Sequence, residues 1–212
     1  MAEKLKYFVN GQFRESKTDK WYDLHNPSTG ETTGQAPCCT NDEVLEAIAA
    51  AKAAYPGWSA TPAIKRAQIL YRVRELILER LDELTMSVAK ENGKVWAESE
   101  GDVLKAKEGT ELATQVPSLM MGESIMDASR GYDTVKYREP LGVFAGIVPV
   151  NFPAMIPFGW MAPTCIAAGN TLVLKAASLT PKTAMLFAQL YKDAGVPDGV
   201  INVVTCSRNE IN

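Results

Sequence analysis

The hydrophobic positions change period several times along the chain, and each period predicts a different kind of element. Residues 5 to 35 alternate apolar and polar side chains around Asn10-Gly11 and again around Ser28-Thr29-Gly30. Alternation of period two, interrupted by Asn-Gly, is the pattern of a β-hairpin, so two N-terminal hairpins are predicted. From Thr40 the period lengthens. Thr40 with Glu43 three residues on reads as a capping box opening a helix over about 41–54, which Pro56-Gly57 ends. Thr61-Pro62 supplies an N-cap and a first-turn proline, and Leu70, Val73, Ile77, Leu81, Leu84 and Val88 recur at steps of three and four. That spacing predicts one long amphipathic helix, stopped at Asn92-Gly93. A further helix is predicted over about 97–116, with Val103, Leu104, Leu112 and Val116 inward and Pro117 closing it.

Between Gly131 and Arg138 the alternation returns with β-branched and aromatic residues, which predicts a half-exposed edge strand. After Glu139-Pro140 the character changes. Residues 143–148 are almost continuously apolar, as strands buried on both faces of a parallel sheet are. An apolar crossover (154–168), a strand (171–175), a helix from Thr180-Pro181 to Gly195 (about 181–194) and a strand (200–204) complete a β-α-β-α-β mononucleotide-binding half, with right-handed connections expected. The predicted fold class is α/β: N-terminal hairpins and helices, then half of a doubly wound Rossmann-like parallel sheet. Three segments follow: a hairpin and helical part (1–130), an edge strand (131–140) and the first dinucleotide-binding half (141–212).

Composition narrows the function. With 46% hydrophobic residues among 212, the chain buries one sizeable core. A net charge of -3 with scattered basic residues gives no footprint for nucleic acid or an anionic membrane, so small-molecule chemistry is expected. The opening MAEKLKYFVNG has no apolar leader core and no window is apolar enough for a membrane span, which sets a cytoplasmic expectation. Cys38, Cys39, Cys165 and Cys206 show no C-x-x-C spacing and His25 is the single histidine, so neither a zinc site nor a Ser-His-acid set is expected.

Two places can carry chemistry. Lys175 ends the second strand of the half-sheet, where ligands meet a doubly wound fold, and Ser178 follows three residues later. A cation with a hydroxyl suits a ribose 2′-phosphate, which a carboxylate would repel; the bland reading is a lysine solvating a strand end. No G-x-G-x-x-G follows the first strand, where Pro149-Val150-Asn151-Phe152-Pro153 stands instead, so the pyrophosphate of a dinucleotide is not cradled there. Asn151, after a buried strand and at the start of a helix, is either an amide donor to an oxyanion or a turn asparagine between two prolines. Cys165, in an apolar crossover, reads as a buried structural thiol, leaving the chain without a convincing nucleophile of its own.

The PVNFP segment, Gly169-Asn170-Thr171, the strand ending in Lys175, Thr180-Pro181, the opening VNGQF, the turn from Asn26-Pro27 to Gly30, Trp58 and Glu91-Asn92-Gly93-Lys94 together resemble the aldehyde dehydrogenase superfamily. The resemblance covers essentially the whole chain. Pro117 to Glu123, reading PSLMMGE, is similar to the branch acting on methylmalonate semialdehyde. The resemblance implies oxidation of a small aldehyde or semialdehyde to an acid or acyl-CoA through a cysteine thiohemiacetal and hydride transfer to a nicotinamide cofactor, with coenzyme A a candidate acyl acceptor; Ser178 beside Lys175 favours NADP over NAD. It implies that Asn151 donates to the oxyanion, that Ile147, Pro149 and Val150 line the cofactor cleft, and that Lys175 and Ser178 meet the adenosine ribose. The edge strand at 131–140 would belong to an oligomerisation segment, making the full-length enzyme a homo-oligomer.

Three departures bear on what carries over. Lys105 stands where the branch has an arginine for the substrate carboxylate, Lys175-Ala176-Ala177-Ser178 lacks the family's glutamate, and Cys206 replaces a glycine. Family chains continue beyond residue 212 with the nucleophilic cysteine, the general-base glutamate and the catalytic domain, so the expectation is an N-terminal portion, inactive alone. The alternative is a non-catalytic nucleotide-binding or subunit-assembly module.

Overall fold

A computed structural model describes residues 3–207. The first hairpin forms as its alternation predicts: β1 (Tyr7–Val9) pairs antiparallel with β2 (Gln12–Arg14). Asn10 and Gly11 between them take φ of 50° and 71°, the positive values a two-residue turn needs between right-twisted strands. β3 (Trp21–His25) and β4 (Thr32–Pro37) make the second hairpin as a separate two-stranded sheet.

The helices match in type but differ at their ends. α1 (Asn41–Ser59) opens with the Thr40/Glu43 capping box and runs through Pro56 rather than stopping there. The missing proline N–H weakens one turn, but Trp58 beyond it is buried and its indole N–H donates to the Ile166 carbonyl at 2.9 Å. The predicted single helix over 62–92 is two, α2 (Ala63–Glu79) and α3 (Leu81–Asn92). The chain turns at Arg80 (φ −110°, ψ 22°), whose guanidinium pairs with Asp193 at 2.6 Å, a contact no local pattern announces. Thr61 does not cap α2; its hydroxyl donates to the Gly57 carbonyl at 3.0 Å. α4 (Trp96–Ala113) buries Asp102, Val103, Ala106 and Thr110, whereas Leu112, expected inward, is 62% exposed. Pro117 lies inside a further turn, α5 (Val116–Leu119). The edge strand is narrower than expected, β6 (Tyr132–Val135), and it has a partner the sequence did not suggest, β5 (Ser124–Ser129). Every residue of both strands is exposed.

The α/β unit follows. β7 (Val143–Ile147) leads through a π-helical turn (Ile156–Met161) and α6 (Ala162–Ala167) to β8 (Thr171–Lys175). α7 (Pro181–Asp193) then leads to β9 (Ile201–Val204). β7, β8 and β9 are parallel neighbours, and β1 joins the far edge of β9 antiparallel, giving the five-stranded order β2-β1-β9-β8-β7. The N-terminal hairpin is thus built into the same sheet as the mononucleotide half. α1 packs on β8 and β9, while Phe158 of the π-helical turn stacks on Phe187 of α7 at 4.7 Å between centroids.

One expectation about β7 fails. Its apolar run predicts burial on both faces, yet Val143, Phe144 and Ile147 are 39%, 40% and 56% exposed. β7 is the last strand of the sheet order, so among the described residues no strand covers its outer edge.

Candidate cofactor and oxyanion site

Parallel pairing brings the candidate residues to one end of the sheet. Ile147 is the register partner of Lys175, and the Val148 N–H donates to the Lys175 carbonyl at 3.4 Å. The carboxyl ends of β7 and β8 therefore emerge together, and the exposed residues Pro149, Val150 and Asn151 continue directly from β7. A groove of about 280 Å³ runs along this end, with Ile147, Val173 and Lys175 on one side, Val44, Leu45 and Ile48 of α1 on the other, and Cys206 at its margin. Lys175, half-buried, donates through Nζ to Ser178 Oγ at 3.3 Å. Lys175 thus places a cation, joined to a hydroxyl, at the wall of an apolar groove.

The loop carrying Asn151 is held from outside. The Asn92 side-chain amide donates to the Val150 carbonyl at 2.7 Å, and Lys94 Nζ donates to the Asn151 carbonyl at 2.6 Å. Lys94 also sits 4.1 Å over the Phe152 ring and 3.4 Å from Asp102. Asp102 in turn accepts from the Met155 N–H at 2.7 Å. Burial raises the Asp102 carboxyl above its ordinary range, while the Met155 N–H and Lys94 draw it back. Between Asn92 and Lys94, Gly93 caps α3 at φ 75°, and a Cβ there would lie 2.7 Å from Pro27. The same tetrapeptide caps α7. Thr180 occupies that helix's N-cap position but does not cap it, its hydroxyl being buried without a hydrogen-bond partner. The Glu91 carboxylate does the work instead, accepting from the N–H of Lys182 and from the N–H and hydroxyl of Thr183 at 2.9 and 2.8 Å. Burial outweighs these donors and pushes the Glu91 carboxyl up to about 7. Sequence reasoning singled out Glu91 to Lys94 for family resemblance only; the available signal was a glycine stop flanked by an amide and a cation.

The remaining candidates lie apart. Cys165 is half-buried in the crossover and donates weakly to the Thr171 carbonyl at 3.8 Å; burial pushes its thiol up to about 12. Cys39, fully buried, is likewise pushed to about 12, so neither is a thiolate near neutral pH. His25 is exposed on β3 beside Thr32, and Lys105 is exposed and paired with Glu108 at 2.6 Å. Among the described residues, no group of three His, Cys, Asp or Glu side chains is placed to hold a metal ion, and no helix is long and apolar enough to cross a membrane.

A family model described as "Aldehyde dehydrogenase family" matches residues 13–212. The chain belongs to the aldehyde dehydrogenase family. It is 44% identical over 208 residues to the human methylmalonate-semialdehyde/malonate-semialdehyde dehydrogenase [acylating], mitochondrial, covering 98% of this chain and 39% of that one. Among solved structures, methylmalonate-semialdehyde dehydrogenase from Oceanimonas doudoroffii superposes with a TM-score of 0.95 at 35% identity, over 99% of this chain and 42% of that one. An NADP-dependent enzyme of E. coli gives 0.94 at 35% identity, over 99% and 43%. A mutant aldehyde dehydrogenase C from Pseudomonas syringae, complexed with NAD+ and octanal, gives 0.88 at 35% identity, over 96% and 41%. The chain thus spans about two fifths of the length of these relatives.

Proposed function

We propose that this chain forms the N-terminal cofactor-cleft half of an NAD(P)-dependent aldehyde dehydrogenase oxidising a small semialdehyde, and that Asn151 is the catalytic group it contributes. The observation that carries the reading is the pairing of Ile147 with Lys175, which delivers the cofactor candidates and the Asn151 loop to the same end of a parallel sheet. Ile147, Pro149 and Val150 line the cofactor cleft, and Lys175 with Ser178 meets the adenosine ribose. The nicotinamide, when bound, accepts the hydride. The exposed Asn151 amide donates a hydrogen bond to the oxygen of the aldehyde adduct as negative charge develops there.

On this reading the nucleophile and the base come from residues outside these 212; Cys39 and Cys165, whose thiols burial pushes up, are not taken as the nucleophile. The exposed hairpin β5–β6 carries Ile125, Met126, Tyr132 and Val135 into solvent and serves as the surface through which subunits associate. The test is a steady-state assay of this chain alone with short semialdehydes, NADP and coenzyme A, beside a dinucleotide-binding titration. Binding without turnover is expected. Appreciable NADPH formation by this chain would show that its own residues complete the chemistry and overturn the division of labour.

A further inference from the structure

Asn151 acts through its side chain, so its usefulness depends on where its Cα–Cβ bond points. That direction is set by the two peptide planes flanking its Cα. The plane before it contains the Val150 carbonyl, and the plane after it contains the Asn151 carbonyl. Both oxygens are gripped by side chains from one short stretch: Asn92 Nδ2 takes the first at 2.7 Å and Lys94 Nζ takes the second at 2.6 Å. Pro149, Val150 and Asn151 are all exposed and lie outside any helix or strand, so no regular backbone ladder fixes these two peptide planes.

The grip is anchored at depth. The Lys94 side chain is only 17% exposed, against 0% for the Asp102 carboxylate 3.4 Å away. Asp102 also fixes the Met155 N–H at 2.7 Å, so one carboxylate holds both the clamp and the far end of the loop. The Phe152 ring packs under the same ammonium at 4.1 Å, fixing the residue that follows Asn151. A bare solvated lysine would gain little from reaching a carbonyl; here a cation already desolvated against a buried carboxylate is spent on one specific oxygen.

We propose that Asn92 and Lys94 are positioning residues that aim the Asn151 amide, with Asp102 holding Lys94 in place. This rests on the reading of Asn151 as the oxyanion donor, but the aiming is measurable without it. In this chain labelled with 15N, Lys94→Met is expected to shift the Asn151 side-chain amide resonances and to lower the heteronuclear NOE of Asn151, Phe152, Ala154 and Met155. Lys94→Arg, which keeps a donor, should restore most of both, and resonances of β8 and β9 should stay in place in each variant. Unchanged Asn151 signals in Lys94→Met and in Asn92→Ala would overturn the clamp, whatever Asn151 does in catalysis. In the full-length dehydrogenase, Lys94→Met should lower kcat by about tenfold to a hundredfold with little change in the KM for the cofactor. Disturbed Asn151 signals combined with an unaltered kcat would leave the clamp standing and sink the oxyanion reading instead. A rise confined to the cofactor KM would show that the clamp serves the cleft and not Asn151, and would overturn the proposal.

Discussion

Lys175 Nζ donates to Ser178 Oγ across 3.3 Å, at the end of β8 and beside the groove walled by α1. A lysine joined to a hydroxyl leaves donors and no fixed negative charge where an adenosine ribose meets a doubly wound sheet. NADP is therefore expected to bind this chain more tightly than NAD. Ser178→Glu introduces a carboxylate beside that ribose and should weaken NADP at least about tenfold while leaving NAD less affected. Fluorescence titration with both dinucleotides checks it; equal losses for the two would refute a 2′-phosphate site.

Replacing Asn151 by alanine in the full-length dehydrogenase should cut kcat by about a hundredfold to a thousandfold, the cost of removing one oxyanion donor. The cofactor KM should hold, since Asn151 is assigned to the adduct and not to the dinucleotide. Stopped-flow measurement of NAD(P)H formation separates that chemical step from product release.

Glu91 caps α7 from α3 while buried, and its carboxyl is pushed up from 4.5 to about 7. A raised folded-state value means that the folded chain holds the proton more tightly than the unfolded one. Its contribution is therefore fully present below pH 4.5 and is lost as pH rises toward 7, at up to about 1.4 kcal/mol per pH unit in that window. Glu91→Gln should flatten this slope between pH 5 and 7 while lowering stability at the acid end of the range by about 1 kcal/mol through a lost acceptor. Urea midpoints collected across the range would show it; parallel slopes for the two proteins would exclude Glu91 as the titrating group.

Gly109 of α4 lies against Gly159 of the π-helical turn so closely that a Cβ on Gly109 would sit 2.1 Å from the Gly159 carbonyl oxygen. Backbone cannot give way as a flexible side chain does. Gly109→Ala should destabilise by about 1–3 kcal/mol or more and lower Tm. Gly101→Ala on the same helix, where no atom lies within 4 Å of the added Cβ, should be neutral or stabilising. Calorimetry of the two variants distinguishes a tight crossing from general helix propensity.

Much of the fold was legible because it depends on near neighbours. The Asn10-Gly11 hairpin, the capping box at Thr40 and Glu43, the left-handed stop at Gly93 and the strand at 171–175 all follow from residues within a few positions of one another. The errors share the opposite cause. α1 continues past Pro56 because Trp58 is anchored on Ile166, more than a hundred residues away, and the long helix breaks at Arg80 beside Asp193. Leu112 points outward and Asp102 inward because α4 meets the Asn151 loop and the π-helical turn on its polar and small-residue face. In the site, Asn151, Lys175 and Ser178 were readable as candidates from type and position, and Ile147, Pro149 and Val150 through the family resemblance alone; their meeting at one sheet end required only the parallel order. The clamp was not readable, since nothing in a sequence says which carbonyl a lysine 57 positions away will take.

By itself, then, the sequence determined the alternation and spacing that make hairpins, helices and a parallel half-sheet, and the motif residues that make the chain an aldehyde dehydrogenase family member. Tertiary structure decided the rest. Contacts between distant segments, each too weak to leave a local pattern, joined β1 to β9, set α1 against the end of the sheet beside Lys175 and gave the stretch from Glu91 to Lys94 its hold on both α7 and Asn151.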